Sequence, residues 1–311
     1  MTPRAPGGAA GGPDDAWRPG LVVAAHGRQV MVETPQGERL RCQTRGKKSE
    51  LVVGDRVQWL PTGDGGVIER MDERRNLLFR QDEWRTKSFA ANLDQLLVLV
   101  AADPVFSESQ LTRALIAAQA AGIPTVIGLN KIDLPSTPVA RERLAPYRAM
   151  GISVIELALK RDPQPAQATL APLLAGRTTL VLGPSGMGKS TLINLIVPQA
   201  AAQVGEISQA LHTGRHTTTS TSWYWLDDSH QAALIDSPGF QEFGLRQVEA
   251  EQLAGLMPDF AAALGHCKFH NCSHRHEPGC GVRDAMARGE ISPTRQRIYS
   301  ELFDELSQKR W

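Results

Sequence analysis

The sequence predicts a multidomain α/β protein in which a central domain with a mostly parallel sheet lies between a small N-terminal β-barrel and a helical C-terminal region. Three patterns support this fold class. Short apolar strands separated by glycine turns occupy residues 20–75, and longer apolar strands alternate with helix-like segments from 95 to 236. Cysteine and histidine cluster within 267–280. Alternating strands and helices indicate a parallel sheet with crossover helices.

The composition is that of a globular protein without a strong charge bias. The 311 residues carry a net charge of +1, so contact with a polyanion needs a local basic patch. The longest apolar run, 96–102, is too short to cross a bilayer, and residues 1–20 lack the apolar core of a signal peptide. We expect a cytoplasmic protein with no membrane attachment. The predicted domains are a disordered tail (1–16), the barrel (17–76), the α/β domain (77–243) and the helical domain (244–311).

The barrel is predicted from five short strand-like segments, at 21–23, 29–32, 39–42, 51–57 and 66–68. This pattern is typical of a small closed barrel such as the oligonucleotide-binding fold (OB-fold). Basic residues lie within and after it: Arg39, Arg41, Arg45, Lys47, Lys48, Arg74, Arg75, Arg80, Arg85 and Lys87. They predict either an RNA-contacting surface or an ordinary solvated one, and the sequence leaves both open. The lone Cys42 is expected to be buried.

A phosphate-binding loop is the strongest local motif. Residues 183–190 read Gly-Pro-Ser-Gly-Met-Gly-Lys-Ser, and they follow a strand-like segment (178–182) and precede a helix-like one (191–196). Backbone N–H groups and a helix N-terminus at such a turn bind phosphate, so the chain is predicted to bind a nucleoside triphosphate. Lys189 would reach the β- and γ-phosphates, and the Ser190 hydroxyl would hold Mg²⁺. The predicted contacts are Gly183, Pro184, Ser185, Gly186, Met187, Gly188, Lys189, Ser190 and Thr191.

A second motif predicts that the base is guanine. Asn130, Lys131, Ile132 and Asp133 read N-K-x-D directly after the strand predicted at 124–129. The carboxylate of Asp133 would accept hydrogen bonds from guanine N1–H and the exocyclic amine, a pair of donors that adenine lacks. Asn130 and the stem of Lys131 would hold the base plane. Residues 158–160 stand where GTP-binding proteins often carry Ser-Ala-Lys, but the serine is absent and no contact is predicted there.

Two further segments predict a nucleotide-dependent switch. The strand predicted at 232–235 ends in D-x-x-G, where Asp236 would hold Mg²⁺ through water and the Gly239 N–H would sense the γ-phosphate. The Thr-rich segment 214–221 lies upstream and predicts a mobile switch that supplies a Mg²⁺ ligand. That ligand is predicted to be Thr218, or else its neighbour Thr217 or Thr219.

The motifs occur in a permuted order. GTP-binding domains ordinarily place the phosphate loop first and N-K-x-D last, whereas here N-K-x-D comes first and D-x-x-G comes last. The chain is therefore circularly permuted, an arrangement that domains tolerate because their termini tend to lie close together. The second switch then leads into the C-terminal segment, and we hypothesise that loss of the γ-phosphate is transmitted there.

The Cys/His cluster predicts a structural zinc site. Cys267, Cys272 and Cys280 supply three thiolates, and His274 is the favoured fourth ligand, with His270 and His276 as alternatives. Four ligands leave no open position for catalysis. The remaining basic residues predict helices that contact RNA or solvent: Arg283, Arg288, Arg295, Arg297, Lys309 and Arg310.

Together these residues resemble the ribosome small-subunit-dependent GTPase A family (RsgA, also called YjeQ) over nearly the whole chain after residue 20. The resemblance is carried by residues 54–57, 92–95, 130–133, 183–191, 214–219, 236–239, Cys267, Cys272, His274 and 278–280. It implies an OB-fold, a permuted GTPase domain and a zinc domain that contact the bacterial small ribosomal subunit and its rRNA late in assembly. It also favours His274 as the zinc ligand. We expect the protein to act as a monomer.

The predicted chemistry is GTP hydrolysis, with Lys189 as a catalytic residue that supplies the electrostatics together with the loop amides and Mg²⁺ on Ser190. Phe240 stands where Ras-like enzymes place a water-orienting Gln, so we expect slow turnover alone and stimulation by the small subunit. His216 is the candidate for orienting water, although it also fits a loop residue or a ribosome contact. The alternative is a GTP-sensing RNA-binding module that scarcely hydrolyses. A plain zinc-finger RNA protein would leave the phosphate loop and N-K-x-D unexplained.

Overall fold

The computed structural model describes residues 17–26, 29–45, 50–63, 65–81, 86–200, 221–239 and 243–308. Several predictions from the sequence concern residues outside these ranges. They are the tail 1–16, Lys47, Lys48, Arg85, the switch segment 214–220 with His216, Thr217, Thr218 and Thr219, Phe240, Lys309 and Arg310.

The N-terminal region is a closed five-stranded barrel, as predicted. Its strands are β1 (Arg18–His26), β2 (Gln29–Glu33), β3 (Arg39–Thr44), β4 (Arg56–Thr62) and β5 (Gly65–Met71). They pair in the order β1-β2-β3-β5-β4, and β4 closes the barrel on β1; only the β3–β5 pair is parallel. Trp59 and Cys42 lie in the core, and burial raises the pKa of the Cys42 thiol to about 11.

The predicted fourth strand begins later than expected, at Arg56, because residues 51–55 form a loop around a buried carboxylate. Asp55 is fully buried and accepts hydrogen bonds from the Val52 N–H (2.8 Å) and from Arg74 Nε (2.6 Å) and Nη2 (2.8 Å). Arg74 also donates to the Glu50 carbonyl at 2.7 Å. Arg74 therefore holds this loop in place. The sequence analysis assigned Arg74 to an RNA-contacting or solvated surface, and that assignment is wrong.

A hairpin that the sequence analysis missed joins the barrel to the central sheet. Its strands are β6 (Leu77–Gln81) and β7 (Thr86–Ala91), which form a separate two-stranded sheet. The Ala91 N–H donates to the Val53 carbonyl of the barrel loop at 2.9 Å. On its other side, Gln81 exchanges backbone hydrogen bonds with Gly244 (3.3 Å) and Arg246 (2.9 Å). The hairpin thus contacts both the barrel and the segment that follows D-x-x-G.

The central sheet confirms the prediction of a mostly parallel sheet with crossover helices. Its elements are β8 (Gln95–Ala101), α1 (Glu108–Ala120), β9 (Thr125–Asn130), α2 (Thr137–Ala149), β10 (Ser153–Leu157), α3 (Pro163–Leu174), β11 (Thr178–Leu182), α4 (Lys189–Ile196), β12 (Ser222–Trp225) and β13 (Ala233–Asp236). The strand order is β10-β9-β8-β11-β13-β12, in which β12 alone is antiparallel to its neighbour.

Strand β12, which was not predicted, connects this sheet to the barrel. Ser222 pairs with Ala24 of β1, so barrel and sheet are continuous. Trp225 Nε1 donates to the buried carboxylate of Glu33 at 2.5 Å, and Arg39 Nε donates to the same carboxylate at 2.8 Å. Arg39, assigned in the sequence analysis to an RNA-contacting or solvated surface, is therefore paired at this junction.

The C-terminal region is helical, as predicted, and packs against α1. It comprises a 3₁₀ helix (Ala250–Leu256), α5 (Pro258–Leu264), α6 (Gly281–Ala287) and α7 (Pro293–Ser307). Arg288 and Arg297 are exposed and paired with neighbouring glutamates. Arg295 contradicts the expectation of contact with RNA or solvent, because it is 3% exposed and bound to Asp259. Among the described helices, none is both long and apolar enough to cross a membrane.

The buried Asp55–Arg74 pair predicts a large effect of a small substitution. Asp55→Asn should lower the free energy of unfolding by about 3 kcal/mol, because it leaves the largely buried guanidinium of Arg74 without its counter-charge. Urea denaturation followed by circular dichroism would measure this. Asp72→Asn is the matched control, since Asp72 and its partner Arg70 are both more exposed, and it should cost less than about 1 kcal/mol. Equal effects of the two substitutions would contradict the structural role of Asp55.

Candidate nucleotide site and metal centre

A cleft of about 490 Å³ opens at the edge of the central sheet where three of its parallel strands end. The carboxyl ends of β9, β11 and β13 each lead into one of the predicted motifs, which is the edge where α/β sheets bind ligands. The cleft is lined by Asn130, Lys131, Asp133, Leu134, Lys160, Ser185, Gly186, Gly188, Lys189, Ser190, Thr191, Asp236, Ser237 and Gly239. Four described residues of the predicted set do not line it: Ile132, Gly183, Pro184 and Met187.

The loop between β11 and α4 has the backbone shape of a phosphate cradle. Gly186 and Gly188 have positive φ angles of 82° and 104°, which L-residues with side chains rarely adopt. Gly183 does not line the cleft. A Cβ at this position would lie 2.3 Å from the Leu99 carbonyl oxygen, so β8 and β11 can approach this closely at the start of the loop only because the residue is glycine. The first turn of α4 then directs its N–H groups towards the cleft.

Lys189 lies inside this loop and is partly desolvated. Its Nζ donates to the carbonyls of Gly183 (2.7 Å) and Pro184 (2.9 Å). Burial lowers the pKa of Lys189, while the nearby carboxylate of Asp236 acts in the opposite direction. The loop therefore presents a cation and backbone amides on one side of the cleft, an arrangement suited to a phosphate chain.

The Asn130 side chain joins three segments of the chain: the end of β9, the phosphate loop and residues 158–160. Its side chain is 4% exposed; Nδ2 donates to the Met187 carbonyl at 2.9 Å, and Oδ1 accepts from the Leu159 N–H at 3.2 Å. A Cβ on Gly188 would lie 2.3 Å from Asn130 Nδ2, so the glycine makes room for this contact. Any contact of Asn130 with a base stays a prediction, whereas its link between the phosphate loop and residues 158–160 is observed.

The rest of N-K-x-D is held by contacts on either side of it. Lys131 has a positive φ of 61°, and its Nζ donates to the Asp103 carbonyl at 2.6 Å. Thr137 Oγ1 donates to the carbonyls of Ile132 (3.0 Å) and Leu134 (2.7 Å) and so closes the turn before α2. Asp133 remains exposed and lines the cleft, the position that a carboxylate needs to meet a base edge.

Three cleft residues were missed from the sequence: Leu134, Lys160 and Ser237. Lys160 lines the cleft although no contact was predicted at 158–160, and the lysine itself was the available signal there. Ser237, inside D-x-x-G, is buried and its Oγ donates to the Val181 carbonyl at 2.7 Å, which ties the end of β13 to β11. No local sequence pattern indicates this second contact.

The D-x-x-G segment lies against the phosphate loop. A Cβ on Gly239 would lie 3.0 Å from Lys189 Nζ and 3.4 Å from the Ser185 nitrogen. Burial raises the pKa of Asp236 to about 6, and the positive charge of Lys189 opposes this rise. Asp236 and the Ser190 hydroxyl line the same cleft and supply hard oxygen donors, which fit Mg²⁺.

The Cys/His cluster forms a compact donor set with the geometry of a zinc site. The ligand atoms of Cys267, Cys272, His274 and Cys280 all lie within 4.8 Å of one another. The sulfur atoms of Cys267 and Cys280 are each 3.5 Å from His274 Nδ1. In a tetrahedral site with Zn–S near 2.3 Å and Zn–N near 2.0 Å, such atoms are about 3.5 Å apart. His270 and His276, the alternatives left open by the spacing, are exposed and stand outside this group.

The loop that carries these ligands is held by a carboxylate that the sequence analysis did not single out. Glu277 accepts hydrogen bonds from the backbone N–H groups of Ser273 (2.7 Å), Arg275 (3.1 Å) and His276 (3.2 Å). Burial alone would raise the pKa of Glu277, but these hydrogen bonds lower it well below its usual range. Tyr299 of α7 donates to the Ser273 carbonyl at 2.9 Å and ties the loop to the helices.

Comparisons with known proteins agree with this architecture. Residues 71–246 match the RsgA GTPase family. A small ribosomal subunit biogenesis GTPase RsgA of Variovorax paradoxus is 61% identical over 298 residues, covering 94% of this chain and 93% of that protein. The protein of the same name from Burkholderia pseudomallei is 55% identical over 292 residues, covering 93% of this chain and 92% of that protein.

Two solved structures resemble the whole chain. The crystal structure of YjeQ from Thermotoga maritima superposes with a TM-score of 0.73 at 30% identity and covers 94% of this chain and 100% of that one. YloQ, described as a circularly permuted GTPase, gives a TM-score of 0.69 at 26% identity and covers 97% of this chain and 100% of that one. The description of YloQ agrees with the circular permutation inferred here from the order of the motifs.

The two hydrogen bonds of Asn130 predict that it stabilises the apo protein. Asn130→Ala should lower the free energy of unfolding by about 3 kcal/mol, because the Met187 carbonyl and the Leu159 N–H lose their partner in a buried place. Chemical denaturation without nucleotide would measure this. Asn194→Ala, on the exposed face of α4, is the matched control and should change stability by less than about 0.5 kcal/mol. A neutral Asn130→Ala would show that the loops are held by other contacts.

The raised pKa of Asp236 predicts a pH-dependent stability. Its pKa is about 6 in the folded protein against an ordinary value of 3.8, so the folded state binds more protons between these values. The free energy of unfolding should therefore rise as the pH falls through 6. Relative to Asp236→Asn, the wild type should gain about 1 kcal/mol between pH 7 and pH 5 in urea titrations without nucleotide or added Mg²⁺. A difference between the two proteins that is independent of pH would contradict the burial of this carboxylate.

Proposed function

The chain belongs to the RsgA GTPase family, and from that premise we propose that it is a GTP-hydrolysing factor acting late in maturation of the bacterial small ribosomal subunit. The observation that carries this proposal is the convergence of three guanine-nucleotide motifs, in permuted order, on one cleft. The names of the relatives from Variovorax and Burkholderia support the ribosomal part of the proposal. It binds the subunit in a nucleotide-dependent way and leaves after hydrolysis.

In this proposal the cleft binds GTP with its phosphates along the β11–α4 loop and its base at Asp133. The observed position of Lys189 within the loop supports a role in neutralising the phosphates. Ser190, Asp236 and one threonine among 217–219 would hold Mg²⁺, which when bound neutralises charge on the transferred phosphoryl group. Gly239 lies close to Lys189, and its N–H would sense the γ-phosphate there.

The proposed partner is the small subunit with its rRNA, contacted by the barrel and the zinc region. Exposed cations beside aromatic rings support RNA contact: Lys268 lies over the ring of Phe269 at 5.6 Å, and Phe269 is 40% exposed. Such pairs suit the stacking of unpaired bases next to phosphates. We place the domain boundaries at 16, 76 and 243, assign zinc a structural role at Cys267, Cys272, His274 and Cys280, and propose a cytoplasmic monomer.

A second candidate function is a GTP-sensing RNA-binding module with negligible hydrolysis. It is favoured by one observation, the presence of Phe240 where Ras-like enzymes place the Gln that orients water. The full proposal assigns this role to His216 and expects the ribosomal partner to complete the catalytic arrangement. The two functions differ in one measurable quantity, which is turnover in the presence of small subunits.

Turnover of GTP by the purified protein, alone and with small or large ribosomal subunits, tests the proposal. Small subunits should raise the rate at least about tenfold, which corresponds to a barrier lowered by about 1.4 kcal/mol, while large subunits should not. Lys189→Met should reduce the stimulated rate by about a hundredfold or more, because it removes a charge placed for the transition state. His216→Ala tests the role of that histidine in the same assay.

Three outcomes decide between the alternatives. Stimulation by small subunits alone, lost in Lys189→Met, supports the assembly-factor proposal. Tight GTP binding with no turnover under any condition favours the sensing module. Unchanged stimulated turnover in His216→Ala removes that residue from the mechanism and leaves the rest of the proposal standing.

A further inference from the structure

Arg295 is a buried cation at the contact between the C-terminal region and the central sheet. Its side chain is 4% exposed, and Nε and Nη2 donate to the two carboxylate oxygens of Asp259 at 2.8 and 2.7 Å. The third nitrogen, Nη1, donates to Thr112 Oγ1 of α1 at 2.7 Å. The guanidinium also lies 5.4 Å from the ring centre of Tyr147 on α2. One side chain on α7 therefore holds α1 and α2 together.

From this point polar contacts continue to the start of α1. Thr112 Oγ1 and the Tyr147 hydroxyl are 3.1 Å apart, and that hydroxyl donates to the Glu108 carbonyl in the first turn of α1 at 3.3 Å. Glu108 follows the loop 103–107, whose Asp103 carbonyl accepts from Lys131 Nζ at 2.6 Å. Arg295 is thus linked to N-K-x-D through a short, contiguous set of contacts.

The same two helices carry the loops that form the proposed guanine pocket. Helix α1 begins directly after the loop that holds Lys131, and α2 begins at Thr137, whose hydroxyl closes the turn 132–134 around Asp133. A shift of either helix therefore moves a residue predicted to contact the base.

We infer that Arg295 is a positioning residue for guanine recognition. It fixes α1 and α2 relative to each other, so that Lys131 and Asp133 are held at the spacing that the base requires. This inference rests on the proposed function, because it takes the cleft to be the guanine-nucleotide site. It also gives the C-terminal region a role in nucleotide binding that is separate from its proposed zinc site and from any RNA contact.

The choice of a charged residue at this place supports a positioning role. A buried ion pair contributes little net stability compared with apolar side chains of similar size, but its directional bonds fix the register of the elements it joins. All three guanidinium nitrogens of Arg295 donate hydrogen bonds: Nε and Nη2 donate to Asp259, and Nη1 donates to Thr112. The neighbouring Arg113–Glu305 pair also joins α1 to α7, but Glu305 is 31% exposed and the pair is less constrained.

The test is the dissociation rate of a fluorescent GDP analogue from the full-length protein, followed by displacement with excess GDP. Arg295→Met keeps the length of the side chain and removes its hydrogen bonds, and it should raise the dissociation rate by about threefold to thirtyfold. The preference for GDP over IDP, which lacks the exocyclic amine, should fall towards one, because Asp133 is no longer held at that amine. If Arg295 only stabilised the fold, Arg295→Met would reduce the fraction of active protein but would leave the dissociation rate and the GDP preference unchanged.

Two further variants keep the inference falsifiable. Arg297→Met is the control, since Arg297 lies on the same helix, is 61% exposed and pairs with Glu301; it should change neither quantity. Thr112→Val leaves the Arg295–Asp259 pair intact and removes the contacts of the Thr112 hydroxyl with Arg295 and Tyr147, so it should also raise the rate and lower the GDP preference. Zinc content of each variant shows whether the C-terminal region remains assembled.

The outcomes separate this inference from the proposed function. If the wild type does not prefer GDP to IDP, the proposed guanine site itself is wrong. If the wild type shows the preference and both Arg295→Met and Thr112→Val retain wild-type rates and preference, the positioning role is overturned. If Arg295→Met fails to fold, the Thr112→Val result alone decides.

Discussion

The hydrogen bonds of the Asn130 side chain are the contact on which the nucleotide site depends. They join the end of β9 to the phosphate loop at Met187 and to residue 159, places that lie far apart in the sequence. Because the side chain is almost fully buried, neither bond has water as a substitute. The geometry of the cleft therefore depends on where the parallel strands end in space. It does not depend on the order in which those strands occur in the sequence. This is why a circular permutation leaves the site intact.

The permutation has a structural consequence that the motifs alone did not reveal. The segment after D-x-x-G was expected to lead straight into the C-terminal region, but residues 243–247 first lie along the β6–β7 hairpin. Gln81 exchanges backbone hydrogen bonds with this segment, and the rings of Phe89 and Phe243 stack with centres 5.9 Å apart. The hairpin in turn is bonded to the barrel loop at Val53. Residues 243–247 thus contact the hairpin, and through it the barrel, before the chain reaches the C-terminal helices.

Features that depend on local sequence patterns were predicted, whereas contacts between residues far apart in the sequence were missed. The apolar strands, the turn glycines and the motifs at strand ends are local patterns; most of the predicted motif residues line one cleft, and the predicted Cys/His donors form one group. Arg74 and Arg295 were misassigned because their partners, Asp55 and Asp259, stand 19 and 36 residues away and give no local signal. Gln95 is similar: it lies in an apolar strand and is satisfied by Thr179, 84 residues along the chain. Buried polar pairs of this kind are visible only once the fold is known.

The central claim is that nucleotide state is communicated from the cleft through residues 243–247 to the hairpin and the C-terminal region. Hydrogen–deuterium exchange of the full-length protein, compared between a non-hydrolysable GTP analogue and GDP, tests it most directly. The account predicts that amide protection changes in residues 77–81, 86–91 and 243–300, beyond the cleft itself. Identical exchange in these segments, with a difference confined to the residues that line the cleft, would contradict it.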